Sequence, residues 1–238
     1  MPDFPPTPPG PPGGGSPGID LSGTVVVLLT ERARTRAGDH RMLIDLVGRL
    51  TGVAPAAIVL DQVCPNCGEP GHGPFRVGFG AAPDAAPTVH VSLARADGRL
   101  AVAVTAAGPV GIDLESIAGL GRAPVAGVIL SDTEARALAD LDPGAAEEAV
   151  AMIWTVKEAV LKAAGVGLRV DPRGLTVALA PPHGPVSAGP VLADWPAAPF
   201  PPGRAHLLPL AASAGFVGTV AVVCAERPVL RMLPGPLR

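Results

Sequence analysis

The sequence predicts an α+β fold, and three observations carry that prediction. A run of β-branched residues opens the non-repetitive part of the chain, and two segments carry apolar residues at helical spacing. The stretches between and after them read as short strands bounded by turn residues. The resulting order of strand, helix, strands, then helix, strands is an α+β pattern.

Residues 1–18 are dominated by Pro and Gly, a composition that buries little apolar surface and predicts an extended or disordered tail. Thr24–Leu29, a continuous apolar run, predicts a buried strand. Met42, Leu43, Leu46, Val47 and Leu50 then recur at helical spacing, predicting a helix over Asp39–Gly52 with Asp39 as N-cap and Gly52 as stop. Cys64–Pro74 is rich in turn residues. Strands are predicted at Pro87–Leu93, Leu100–Thr105 and Val110–Glu115, with Asp97-Gly98 as a hairpin turn between the first two. Ser131-Asp132-Thr133-Glu134 has the spacing of a capping box and starts a helix to about Asp140. A longer helix runs from about Ala145 to Ala164, ending at Gly165, and strands follow at Leu175–Leu179, His206–Leu210 and Phe216–Cys224. Residues 229–238 read as a second tail.

Composition narrows the function. The 238 residues carry a formal net charge of −3, which argues against binding driven by neutralising nucleic-acid phosphates. Three cysteines give no paired disulfide framework, and no apolar run approaches the length of a membrane span, so a cytoplasmic protein is expected. Cys64-x-x-Cys67 with His72 has the residues of a zinc or redox site, but a structural zinc takes four ligands and the chain has no second Cys-x-x-Cys, so no metal role is expected of this loop. His40, His90, His183 and His206 have no partner pattern and read as structural or exposed.

Two segments carry candidate chemistry. In Gly111-Ile112-Asp113-Leu114-Glu115, strand alternation puts Ile112 and Leu114 on one face and both carboxylates on the other. Paired carboxylates suit a hard divalent cation, although a solvated strand edge has the same pattern. In Trp154–Gly165, the residues Trp154, Glu158 and Lys162 stand four apart and form one helical stripe. Glu158 is a third candidate carboxylate, and Lys157 and Lys162 are candidates to neutralise phosphate oxygens. A surface Glu–Lys pair has the same spacing.

Taken together, the two segments resemble the paired signature of the 4′-phosphopantetheinyl transferases, in the surfactin-synthetase-activating type that serves polyketide and nonribosomal-peptide pathways. The resemblance rests on Gly111, Ile112, Asp113 and Glu115, then, about 40 residues on, Trp154, Lys157, Glu158, Ala159, Lys162, Gly165, Gly167 and Leu168. It extends to Val91–Ala96, to the Cys64–Gly73 loop and to Gly215–Val223. Two departures stand out: Ala94-Arg95-Ala96 replaces the usual Ser-His-Ser, and no basic residue precedes Pro74, with Arg76 a possible substitute.

The resemblance implies two similar α+β halves, 19–110 and 111–228, acting as a monomer with coenzyme A between them. It implies transfer of phosphopantetheine from coenzyme A to a serine of an apo acyl, peptidyl or aryl carrier protein. Asp113, Glu115 and Glu158 would hold Mg²⁺, and Glu158 and Lys162 would act catalytically. Arg41, Ser92, Arg95, Lys157 and Lys162 would contact coenzyme A. The alternatives are a non-catalytic coenzyme A-binding relative and a different Mg²⁺-dependent phosphate enzyme.

Overall fold

A computed structural model describes residues 19–64, 67–80, 88–122, 125–179, 189–233 and 235. The tail expected over residues 1–18, Pro87 and His183 lie outside them.

The first strand, β1 (Thr24–Glu31), leads into helix α1 (Arg36–Thr51). The helix starts three residues before the sequence expectation. Thr35 is the N-cap, its side chain accepting from the Gly38 amide, which frees Asp39 for another role. A hairpin of β2 (Ile58–Val63) and β3 (Pro70–Phe79) follows. It takes in part of the turn-rich stretch; the sequence reading assigns no strand here, although Ile58 and Leu60 on β2 and Phe75, Val77 and Phe79 on β3 alternate and pack against the core under α1. Next come β4 (His90–Ala96), β5 (Arg99–Thr105) and β6 (Val110–Ser116). The β4–β5 turn has Asp97 at φ 38° and Gly98 at φ 80°, as a two-residue hairpin turn requires.

Short helices α2 (Ile117–Leu120) and α3 (Ala126–Ile129) precede α4 (Asp132–Leu138), which starts at the expected Ser131/Glu134 capping box. Helix α5 (Pro143–Ala163) is capped by Asp142 and followed by Gly165 in the left-handed region. The chain ends with β7 (Thr176–Ala178), β8 (Val191–Asp194), β9 (Ala205–Pro209), β10 (Phe216–Val223) and β11 (Val229–Leu233). The last corrects the expectation of a tail from residue 229. Val229–Leu233 pairs in parallel with β1, completing a sheet of order β11-β1-β5-β4. No local turn announces that pairing, because a parallel partner is distant in sequence.

The molecule is layered, and strand alternation explains why. On β1, Val26 and Leu28 pack with Leu43, Leu46 and Val47 of α1, while Val25 and Val27 point the opposite way. There they meet Val110, Ile112 and Leu114 of β6 and Val220 and Val222 of β10, from a second sheet of order β6-β10-β9. The four-stranded sheet is thus covered on both faces, which is why β1 reads as a continuous apolar run rather than an alternating one. Helix α5 covers the far face of the second sheet with Ile153, Val156, Val160 and Leu161. No helix among the described residues is long and apolar enough to cross a membrane.

Candidate active site

Because Val110, Ile112 and Leu114 face the inter-sheet core, the alternate residues Gly111, Asp113 and Glu115 face α5. The helix can approach only because residue 111 is glycine. A Cβ there would collide with the Ala159 carbonyl oxygen and lie 2.7 Å from the Ala163 amide nitrogen. This close approach brings the stripe Trp154, Glu158 and Lys162 onto the strand's carboxylates.

Lys162 Nζ donates to Asp113 Oδ1 at 2.7 Å and to the Ile112 carbonyl at 3.1 Å, and lies 3.7 Å from Glu158 Oε2. Trp154 is partly buried against the core on α5 and donates its indole N–H to Glu115 Oε1 at 3.0 Å. Three carboxylates therefore gather around one ammonium. Burial raises the Asp113 and Glu158 carboxyls above their ordinary range against the opposing pull of Lys162. Burial, reinforced by Asp113, lifts Glu115 from 4.5 to about 7. Burial opposes charge on Lys162 too, but Asp113, Glu158 and Glu115 outweigh it and hold the ammonium above its ordinary range.

Asp113 Oδ2 and Glu158 Oε1 are buried with no hydrogen-bond partner among the described residues. Buried carboxylate oxygens are costly to leave unmatched. Excess negative charge, all-oxygen donors and unmatched atoms together fit a hard divalent cation such as Mg²⁺.

Glu158 and Lys162 carry the cluster to the wall of a cleft of about 550 Å³, whereas Asp113 and Glu115 are not among its lining residues. Glu158, Leu161 and Lys162 line it from α5, and Val91, Ser92, Leu93 and Arg95 from β4. The Gly165–Arg169 turn and the β2–β3 loop complete the wall. Ser92 joins the two sheets by accepting from the Ile112 amide at 3.1 Å. Arg95 donates its Nε to Asp39 Oδ2 at 2.6 Å, while its buried Nη2 has no partner among the described residues. Asp39, read from sequence as a cap, is instead a fully buried anchor for this guanidinium. Its other oxygen accepts from the Ala33 amide at 2.8 Å.

Three sequence expectations are corrected. Lys157 does not reach the cleft: its fully buried ammonium donates to Glu134 Oε2 at 2.6 Å and to the Ile129 carbonyl at 2.8 Å. Its helical position explains this, since it lies four residues from both Ile153 and Leu161, on the apolar face. Arg41 is exposed on α1 and is not among the residues lining the cleft. Arg76 alternates away from the cleft face that Phe75 occupies.

The segment from β6 to β8 thus holds every carboxylate of the cluster and its lysine. Residues 109–194 match the family model of the 4′-phosphopantetheinyl transferase superfamily. The match covers a little over a third of the chain, and it contains Asp113, Glu115, Trp154, Glu158 and Lys162. Among solved structures, the Thermotoga maritima holo-[acyl-carrier-protein] synthase (AcpS) is similar at 23% identity with a TM-score of 0.37. That similarity covers 50% of this chain and 64% of the other, less than two thirds of its length. No curated protein matches the chain.

Proposed function

We propose that the protein transfers the 4′-phosphopantetheine group of coenzyme A to a serine of an apo carrier protein. The observation that carries this reading is one cleft containing both halves of the required chemistry. At one place Glu158, with an unmatched oxygen, and Lys162 line it, with the buried Asp113 paired to Lys162 behind them, and at another is the Arg95 guanidinium with an unmatched N–H nitrogen. An elongated pyrophosphate ester needs both, and the superfamily match over 109–194 supports the same reading.

Asp113, Glu115 and Glu158 hold a divalent cation, Mg²⁺, whose role when bound is to offset pyrophosphate charge. Lys162 contacts a phosphate oxygen and stabilises charge on the departing group. Arg95, fixed by Asp39, donates its remaining N–H groups to a second phosphate, in place of the histidine usual at this position. Glu158 accepts the proton of the attacking serine hydroxyl, directly or through water. A bond forms from the serine oxygen to the β-phosphorus, the bond to the bridging oxygen breaks, and adenosine 3′,5′-bisphosphate leaves. We read the chain as the surfactin-synthetase-activating type, with halves 19–110 and 111–228 flanking the cleft, acting as a monomer on a small carrier protein.

Calorimetric titration with coenzyme A tests the binding half of the proposal. Binding is expected with Mg²⁺, weakened without it, and weakened more than about tenfold in Arg95→Ala, the loss of a charged hydrogen bond. No coenzyme A binding in the presence of Mg²⁺ would overturn it.

A further inference from the structure

We propose that Cys64, Cys67 and His72 bind a zinc ion at the rim of the cleft, leaving a fourth coordination position open to the cavity. This site is separate from the carboxylate cluster and does not depend on the transferase reading.

The geometry is close to that of a ligated ion. The two Sγ atoms and an imidazole nitrogen all lie within 4.8 Å of one another, and Cys67 Sγ is 3.3 Å from His72 Nε2. Zinc bound tetrahedrally at about 2.3 Å to sulfur and 2.0–2.1 Å to nitrogen gives ligand–ligand edges of roughly 3.6–3.8 Å. Shifts of a few tenths of an ångström to about one ångström therefore convert the observed triangle into three corners of that tetrahedron.

The loop is built to hold this triangle. Its base is closed by the Cys64 amide donating to the Glu69 carbonyl at 3.0 Å and the Gly68 amide donating to the Cys64 carbonyl at 3.0 Å. The returning strand is tied down from two sides. Gln62 Nε2 donates to the Gly73 carbonyl at 2.8 Å, and Arg36 Nη1 donates to the Gly71 carbonyl at 3.1 Å. Gly73 has φ 97°, and a Cβ there would sit 2.9 Å from both Cys64 Cα and the Val63 carbonyl oxygen. Only glycine lets the strand return closely enough to lay His72 against the cysteines.

The donor set selects the ion. Two thiolates and an imidazole favour zinc over the hard cations that suit the carboxylate cluster. On binding, both thiols release their protons to solvent and the imidazole stays neutral. All three ligands line the cleft shared with Glu158, Lys162 and Arg95. The open position accordingly takes water or a donor atom of whatever fills the cleft, and the ion fixes the loop as a rigid wall of that cleft.

The test uses the full, reduced chain, freed of metal with a chelator and loaded with Co²⁺ as a spectroscopic stand-in for zinc, followed by Zn²⁺ competition. One cobalt per chain with a thiolate-to-metal charge-transfer band, displaced by one equivalent of Zn²⁺, is expected. Cys67→Ser and His72→Ala should each weaken Zn²⁺ binding by more than about a hundredfold, because even outer-shell changes cost 10–100-fold. Cys224→Ser should leave it unchanged. The wild-type spectrum needs no variant to fold, and neither coenzyme A nor carrier enters the assay. Failure of the transferase reading therefore leaves it untouched. Absence of the thiolate band in the reduced wild type, or its persistence in Cys67→Ser, overturns the proposal.

Discussion

Replacing Lys157 by methionine separates a structural lysine from a phosphate-binding one. Its ammonium and the Glu134 carboxylate are 0% and 1% exposed and 2.6 Å apart. Glu134 also accepts from the Ser131 amide at 2.7 Å and, through Oε1, from the Val177 amide at 2.7 Å. The carboxylate thus ties the start of α4 to α5 and β7. Lys157→Met roughly keeps the side-chain volume and leaves a buried anion with two amide donors but no countercharge. Removing one partner of a buried ion pair costs about 3–5 kcal/mol, and the surviving amides place this case near the low end, about 3 kcal/mol. For a chain of this size each kcal/mol moves the midpoint by about 2–4 °C, so Tm should fall by about 6–12 °C. Adding Glu134→Gln removes the stranded charge. The double variant should therefore be less destabilised than the single changes sum to, with a coupling of about 1–3 kcal/mol. Thermal and urea unfolding measure the loss, and coenzyme A titration at a temperature where the variant is folded should be unchanged. Intact stability together with lost coenzyme A binding would refute the buried-pair assignment and return Lys157 to the cleft.

Other consequences follow from the same geometry. Gly111→Ala forces α5 away from β6 and should cost at least about 1–3 kcal/mol, with Mg²⁺ binding lost even in folded protein, measured by urea unfolding and metal titration. Glu115 is raised from 4.5 to about 7, so between those values the folded state binds more protons than the unfolded state. The stability of metal-free protein should therefore fall as pH rises through that window. Mg²⁺ should raise Tm more at pH about 8 than at about 5. A pH-independent Tm without metal contradicts the shared carboxylate burial. Asp39→Asn weakens the anchor of Arg95 without removing its charge, so KM for coenzyme A should rise with little change in kcat. Equal loss in both would mean that Asp39 does more than position the guanidinium.

Much of the fold was legible because its signals are local. The Thr24–Leu29 run, the Asp97-Gly98 turn and the Ser131/Glu134 box each encode their conformation within a few residues, and all three appear. The Asp113/Glu115 face and the Trp154–Glu158–Lys162 stripe were legible for the same reason, since periodicity fixes which side chains emerge together. What sequence hid is long-range pairing. Glu134 looked complete as a capping residue, and nothing near it announces an ion partner 23 residues away. Lys157 resembles Lys162 in its local sequence, although its four-residue spacing from Ile153 and Leu161 is itself a sign of burial. Asp39 followed the same course: a plausible cap locally, but held by Arg95 from a strand 56 residues on. The parallel seat of Val229–Leu233 on β1 likewise has no local signature.

Transfer itself is read from the intact mass of an apo carrier protein incubated with this protein, coenzyme A and Mg²⁺. A mass gain of one phosphopantetheine is expected, abolished in Asp113→Ala and Glu158→Ala and retained, per folded molecule, in Lys157→Met. No gain on acyl, peptidyl or aryl carrier proteins, from a protein that binds coenzyme A and Mg²⁺, would contradict it and leave a coenzyme A-binding protein without transferase activity.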